Sequence, residues 1–130
     1  MIEIVIVFTQ KKKRLHIHRF GACAGEKRSW EGLCLLATVA GSIKVDGRRV
    51  TPVNRFSLNL EAAREIFRGM LDGTLERRQY KGGPYCLSIE KQADENYRFS
   101  VSYKNIPVVF NLSMREKEML CRAILDYMLT

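Results

Sequence analysis

Polar and apolar residues alternate through the first third of the chain. Residues 14–20 read Arg-Leu-His-Ile-His-Arg-Phe, so an extended backbone puts Leu15 and Ile17 on one face and Arg14, His16, His18 and Phe20 on the other. Residues 2–9, just upstream, are apolar and β-branched, and Gln10-Lys11-Lys12-Lys13 separates the two stretches. Together they predict a β-hairpin with a lysine-rich tip. Residues 21–30 form a polar loop containing glycine. Residues 33–40 are almost continuously apolar, which suits a short buried strand or a helix fragment. Residues 43–50 set Asp46-Gly47 between arms of alternating polarity, the mark of a two-residue hairpin turn in which both central positions need positive φ.

The period then changes from two to between three and four. Leu60, Ala63, Phe67, Met70 and Leu71 fall on one helical face, with Asn59 at the N-cap position and Gly73 placed to end the helix. The second half opens with Glu76-Arg77-Arg78-Gln79-Tyr80-Lys81 and a Gly82-Gly83-Pro84 break. Strands are predicted at 85–91, 97–104 and 106–112. On the middle one, Tyr97, Phe99, Val101 and Tyr103 form a core face, opposite Arg98, Ser100, Ser102 and Lys104. Ser113 and Glu116 have capping-box spacing, and Met114, Cys121, Ile124, Leu125 and Met128 give the closing helix its apolar stripe.

These halves repeat. At a constant offset of 110 − 56 = 54, Phe56, Leu58, Arg68, Leu71, Asp72 and Leu75 match Phe110, Leu112, Arg122, Leu125, Asp126 and Leu129. The offset sets Lys117 against Ala63, so the two helices need not pack alike. The expected order is strands then a helix, twice, in units 1–73 and 74–130 of a single compact domain. The predicted class is α+β: tandem strand-rich repeats, each closed by one α-helix, with antiparallel sheets in pseudo-twofold symmetry.

The 130 residues suffice for one core, and no run approaches the ~20 apolar residues of a membrane span. Residues 2–8 lack a basic leader and read as a strand, not a signal peptide, so a cytoplasmic setting is expected. Cys23, Cys34, Cys86 and Cys121 are scattered without a Cys-x-x-Cys pair, which points to structural thiols and not to zinc or redox chemistry. Net charge is +8; residues 1–73 hold 13 basic and 7 acidic side chains, residues 74–130 hold 9 and 7. That balance favours acidic partners, nucleic acid first.

The chain carries no recognisable catalytic set and no phosphate-binding glycine loop, so it is read as non-enzymatic and without a cofactor. A hydrolase or nuclease needs clustered carboxylates, and Glu76, Glu90, Asp94 and Glu95 read as solvated loop charge. His16 and His18 have chelating spacing but no third ligand, and a metal is not expected. The stronger pattern is basic and aromatic interleaving. Lys11, Lys12, Lys13, Arg14, Arg48, Arg49, Arg77, Arg78, Lys81 and Arg98 supply cations for a phosphate backbone, while His16, His18, Phe20, Tyr80 and Tyr85 supply flat surfaces for bases. The competing explanation is that lysines and arginines blunt sheet edges against aggregation.

The strand-to-helix junction Ile106-Pro107-Val108-Val109-Phe110-Asn111-Leu112-Ser113 resembles that of the positive-cofactor-four coactivators, and the duplicated architecture is similar to that of the Pur-alpha family and the Whirly proteins. The resemblance implies single-stranded DNA or RNA binding on open sheet faces, with the helices joining the two halves. The expected function is therefore single-stranded nucleic-acid binding with little sequence preference. The alternative is a regulatory or protein-interaction module, of the kind a mobile element encodes, that binds an acidic protein. Tyr127, Met128 and Leu129 form an apolar patch for such a partner, or pack across the pseudo-twofold axis or in a homodimer.

Overall fold

The computed structural model describes residues 5–20 and 32–129; the 21–30 loop and the start of the first strand lie outside that range. Strands β1 (Val5–Gln10), β2 (Lys13–Phe20) and β3 (Gly32–Val39) run as an antiparallel meander. A separate hairpin of β4 (Ile43–Val45) and β5 (Arg48–Val50) precedes β6 (Val53–Asn59), which completes a four-stranded sheet in the order β1-β2-β3-β6 and leads directly into α1 (Leu60–Asp72). The pattern returns as β7 (Arg77–Gly82), β8 (Tyr85–Lys91), β9 (Tyr97–Tyr103) and β10 (Ile106–Leu112), a second meander followed by α2 (Met114–Leu129). The class is α+β: among the described residues, ten strands in three antiparallel sheets and two α-helices, with a helix after each strand-rich unit.

Local chemistry sets the boundaries. Asn59 Oδ1 accepts the Ala62 N–H at 2.7 Å, satisfying a donor that the first turn of α1 leaves open. Gly73 ends the helix at φ +74°, where a Cβ would sit 2.5 Å from Glu95 Oε2. At α2, Ser113 Oγ accepts the Glu116 N–H and Glu116 Oε1 accepts the Ser113 N–H, each at 3.2 Å. Asp46 (φ 49°) and Gly47 (φ 79°) form the β4–β5 turn. Lys104 (φ 49°) and Asn105 (φ 65°) form a matching turn between β9 and β10, so Lys104 leaves the strand predicted to contain it.

Strand β7 is the element that the hydrophobic pattern leaves unnamed. It lies at the edge of its sheet, pairs only with β8, and turns Arg77, Gln79 and Lys81 outward. An edge strand with one solvated face needs little apolar character. The expected glycine break at 82–84 is the turn that joins it to β8, with Gly83 at φ +60°. The register extends the repeat beyond the 54-residue offset: Leu33 faces Leu58 as Tyr97 faces Leu112, which equates Leu33, Leu35 and Ala37 with Tyr97, Phe99 and Val101.

Both sheets and both helices share one core. α1 contributes Ala63, Ile66, Phe67 and Met70, and α2 contributes Leu120, Cys121, Ile124 and Met128. The stripe expected on α2 is displaced at its start, where Met114 is 50% exposed. Full burial of a large aliphatic or aromatic side chain is worth about 1.5–3 kcal/mol, and the helices pack against each other as well as on the strands. Polar ties span the units. Buried Asn54 on β6 donates to the carbonyls of Val101 and Ile106, each at 2.8 Å. The Gln10 side chain pairs with the backbone of Asn111 as another strand would, donating to its carbonyl at 2.8 Å and accepting its N–H at 3.3 Å.

Candidate nucleic-acid interface

The register writes two different outer faces. On the first sheet the rows read Thr9-Arg14-Thr38-Val53, Val7-His16-Leu36-Arg55 and Val5-His18-Cys34-Ser57. On the second they read Arg77-Glu90-Arg98-Asn111, Gln79-Ser88-Ser100-Val109 and Lys81-Cys86-Ser102-Pro107. The first face mixes imidazole and guanidinium groups with exposed valines. The second is small and polar along its middle and cationic at both ends.

That second face is concave. A groove of about 530 Å³ has Ser88, Ser100 and Ser102 in its floor, and the β7–β8 and β9–β10 turns frame one end. The two turns are tied by the Lys104 N–H, which donates to the Pro84 carbonyl at 2.9 Å. Among the described residues, Lys81 and Lys104 are its only charged lining residues, and no carboxylate lines it. On the core side of the sheet, at the same end, Tyr85 packs on Tyr103, ring centroids 4.8 Å apart, and Lys104 Nζ sits 5.4 Å from the Tyr103 ring centre. Tyr85 also lines a second, smaller concavity beside β6.

The other candidate residues fall into four groups. Arg14, His16, His18 and Phe20 share the outward side of β2, as the alternation predicts, and Arg55 joins them from β6. Lys11 and Lys12 are exposed at the β1–β2 turn, and Arg48 and Arg49 are exposed on β5, with Arg49 donating to Ser42 Oγ at 3.2 Å. Three residues turn away from the outer faces. Lys13 donates its Nζ to the Val109 carbonyl and lies 5.7 Å from the Phe110 ring centre; burial, with Lys11 nearby, pushes its pKa down. Arg78 pairs with Glu65 on α1 at 3.1 Å and donates to the Tyr80 hydroxyl at 3.2 Å. Tyr80 itself is half-buried, its ring 6.4 Å from that of Phe56. Arg77 and Arg98 remain outward, on the row of Glu90 at the end of the sheet away from the groove.

Comparison with protein-family models finds none that matches the chain, and a search of curated proteins finds no match. The site is therefore read from its own chemistry. Among the described residues no group of three His, Cys, Asp or Glu side chains is placed to hold a metal ion, and no helix is long and apolar enough to cross a membrane. Glu95 is engaged by Lys91 at 3.4 Å and Lys117 at 4.0 Å. The alternation puts Lys104 with Arg98, Ser100 and Ser102 on a solvated or phosphate-contacting strand face, but it does not single out Tyr103 or Arg55. The available signal was the pair of turns, Gly83-Pro84 and Lys104-Asn105, each flanked by a tyrosine.

Proposed function

We propose that the protein is a non-enzymatic binder of single-stranded DNA or RNA, with the strand lying along the outer face of the second sheet. The observation that carries this reading is the groove itself: a serine floor and two lysines, with no carboxylate among the described residues that line it. Lys81 and Lys104 neutralise phosphates, the serine hydroxyls and Gln79 bond to sugar or base edges, and Tyr85, at the end of the sheet, offers a stacking surface to a base that leaves the floor. Arg77 and Arg98 extend the cationic path along the same face. A duplex is too stiff and broad to lay its bases on so short a floor, which favours single strands. The resemblance to Pur-alpha, Whirly and positive-cofactor-four proteins points the same way. Three unpaired thiols, Cys34, Cys86 and Cys121, fit a reducing, cytoplasmic setting.

The test is fluorescence anisotropy with a labelled single strand, comparing the wild type with the double variant Lys81→Ala/Lys104→Ala. The reading requires weaker binding and a salt dependence shallower by about two ions. Unchanged affinity and slope would remove the groove from the site.

A second reading rests on the other sheet. Val5 and Val7 are 39% and 51% exposed on the outer face that also carries Leu36 and Arg14. Exposed apolar area beside cations suits an acidic protein partner. Loss of partner binding in Val7→Glu, with nucleic-acid binding intact, would favour that alternative.

A further inference from the structure

The smaller concavity, about 170 Å³, lies where β6 at the edge of the first sheet meets the β7–β8 turn, and Arg55, Phe56, Ser57, Gly82 and Tyr85 line it. Its volume equals that of roughly five or six liquid waters at about 30 Å³ each, which suits one flat ring system and excludes a peptide helix or a sugar chain. Phe56 and Tyr85 supply aromatic surface. Arg55 and Ser57, both exposed on the outward side of β6, supply polar groups at the mouth. Among the described residues no carboxylate lines it. At Gly82 a Cβ would lie 3.7 Å from Phe56 Cε2, an ordinary contact, so a branched side chain there crowds the Phe56 ring that lines the cavity.

We infer that this cavity holds one nucleobase, turned out of a strand whose backbone lies in the neighbouring groove, with guanine preferred. The inference rests on the reading of that groove as a strand-binding face. Both concavities reach Tyr85 at the end of the sheet; its side chain lies on the core side with Leu87 and Ile89, so a base leaving the groove passes around the β7–β8 turn into the smaller space. Inside, it gains aromatic surface from Phe56 and Tyr85, a contact that accepts any base. Arg55 narrows the choice. A guanidinium only donates hydrogen bonds, and the adjacent N7 and O6 acceptors of guanine match its fork, whereas adenine places a donor beside N7. The protein then binds strands of many sequences but registers them at one nucleotide.

The experiment uses a labelled oligodeoxynucleotide of abasic sites carrying at its centre a guanine, an adenine or a further abasic site, titrated with the full chain by anisotropy at low salt. The inference predicts that the wild type binds the guanine strand at least about fivefold more tightly than the abasic strand, from stacking alone. In Gly82→Val that ratio falls to near one. In Arg55→Met the guanine-over-adenine preference disappears while the advantage over the abasic strand persists. Equal affinity of the wild type for guanine and abasic strands overturns the base pocket but leaves the groove reading standing, as does a ratio that survives Gly82→Val. Failure of the wild type to bind any of the three strands overturns the groove reading and the pocket with it.

Discussion

Lys91 Nζ donates to the carbonyl of Gly73 at 2.8 Å, so a strand of the second unit caps the helix of the first. The exchange is mutual. Arg19, which the register equates with Lys91 because Leu33 faces Arg19 as Tyr97 faces Lys91, donates to the Met128 carbonyl of α2 at 3.1 Å. Each helix therefore ends on a cation from the other unit, where the helix dipole and the open carbonyls both favour positive charge. The halves are held together at their helix ends as well as through their common core. Lys91→Met should lower unfolding free energy by about 1–2 kcal/mol, the cost of a charge-assisted bond at a partly exposed site, and Lys91→Arg should retain most of it. Denaturant titration of the three proteins checks this.

Asn54 makes a buried, two-pronged polar link between the sheets. Both hydrogens of its Nδ2 are used, on Val101 and Ile106, and the side chain is only 1% exposed. Asn54→Leu leaves two carbonyls without this donor and should cost about 2–4 kcal/mol, read as a shift in denaturant midpoint without a change in slope.

Lys117 stands where the first helix has Ala63, yet it is 2% exposed. Its ammonium lies 3.4 Å from the Leu71 carbonyl, 4.0 Å from Glu95 and 5.8 Å from the centre of the Tyr97 ring. Lys117→Ala would make the repeats identical here, but the space is filled by a long side chain, so the loss should be about 2–3 kcal/mol. Lys117→Met fills the volume without the charge and should stay within about 1 kcal/mol of the wild type. The pair of melting curves separates packing from charge.

Acid should loosen α2 first. Burial pushes the Glu116 carboxyl pKa up, but bonds from the Ser113 N–H, the Gln10 amide and the Ser113 hydroxyl outweigh it and leave the pKa below 4.5. A carboxyl whose folded pKa is depressed contributes stability above its unfolded pKa and loses it as pH falls through the folded one. Stability should therefore drop from about pH 4.5 downward, and Glu116→Gln should flatten that limb of the pH–stability curve.

Thiol labelling reports the core. Burial pushes the Cys121 pKa up to about 12, with Lys117 partly opposing, while Cys34 and Cys86 are only half-buried. At neutral pH an alkylating reagent should modify Cys121 only in denaturant. Rapid labelling of Cys121 in the native protein would contradict the helix packing described above.

Much of this fold is written locally. The Asn59 cap, the Gly73 stop, the Ser113–Glu116 box and the Asp46-Gly47 turn each depend on a few neighbouring residues, and all are read directly from the chain. The 54-residue repeat is legible for the same reason, because β6–α1 and β10–α2 carry their apolar pattern in one continuous stretch. Strand β7 is not, since an edge strand can be polar and its pairing with β8 is a tertiary fact. The site divides likewise. Alternation puts Arg14, His16 and His18 on one face, but it cannot show that Lys13 reaches across to β10 or that Tyr80 turns in against Phe56. Nor can it show Tyr85 standing between two concavities, because β6 and the β7–β8 turn meet only in three dimensions.

The most direct test of the account is a titration of the full chain against matched single-stranded and duplex oligonucleotides at low and moderate salt. A groove with a serine floor and a lysine rim predicts clear preference for the single strand and affinity that falls steeply with salt. Equal, weak binding to both forms, no stronger than a chain of charge +8 gives by general attraction, would contradict it.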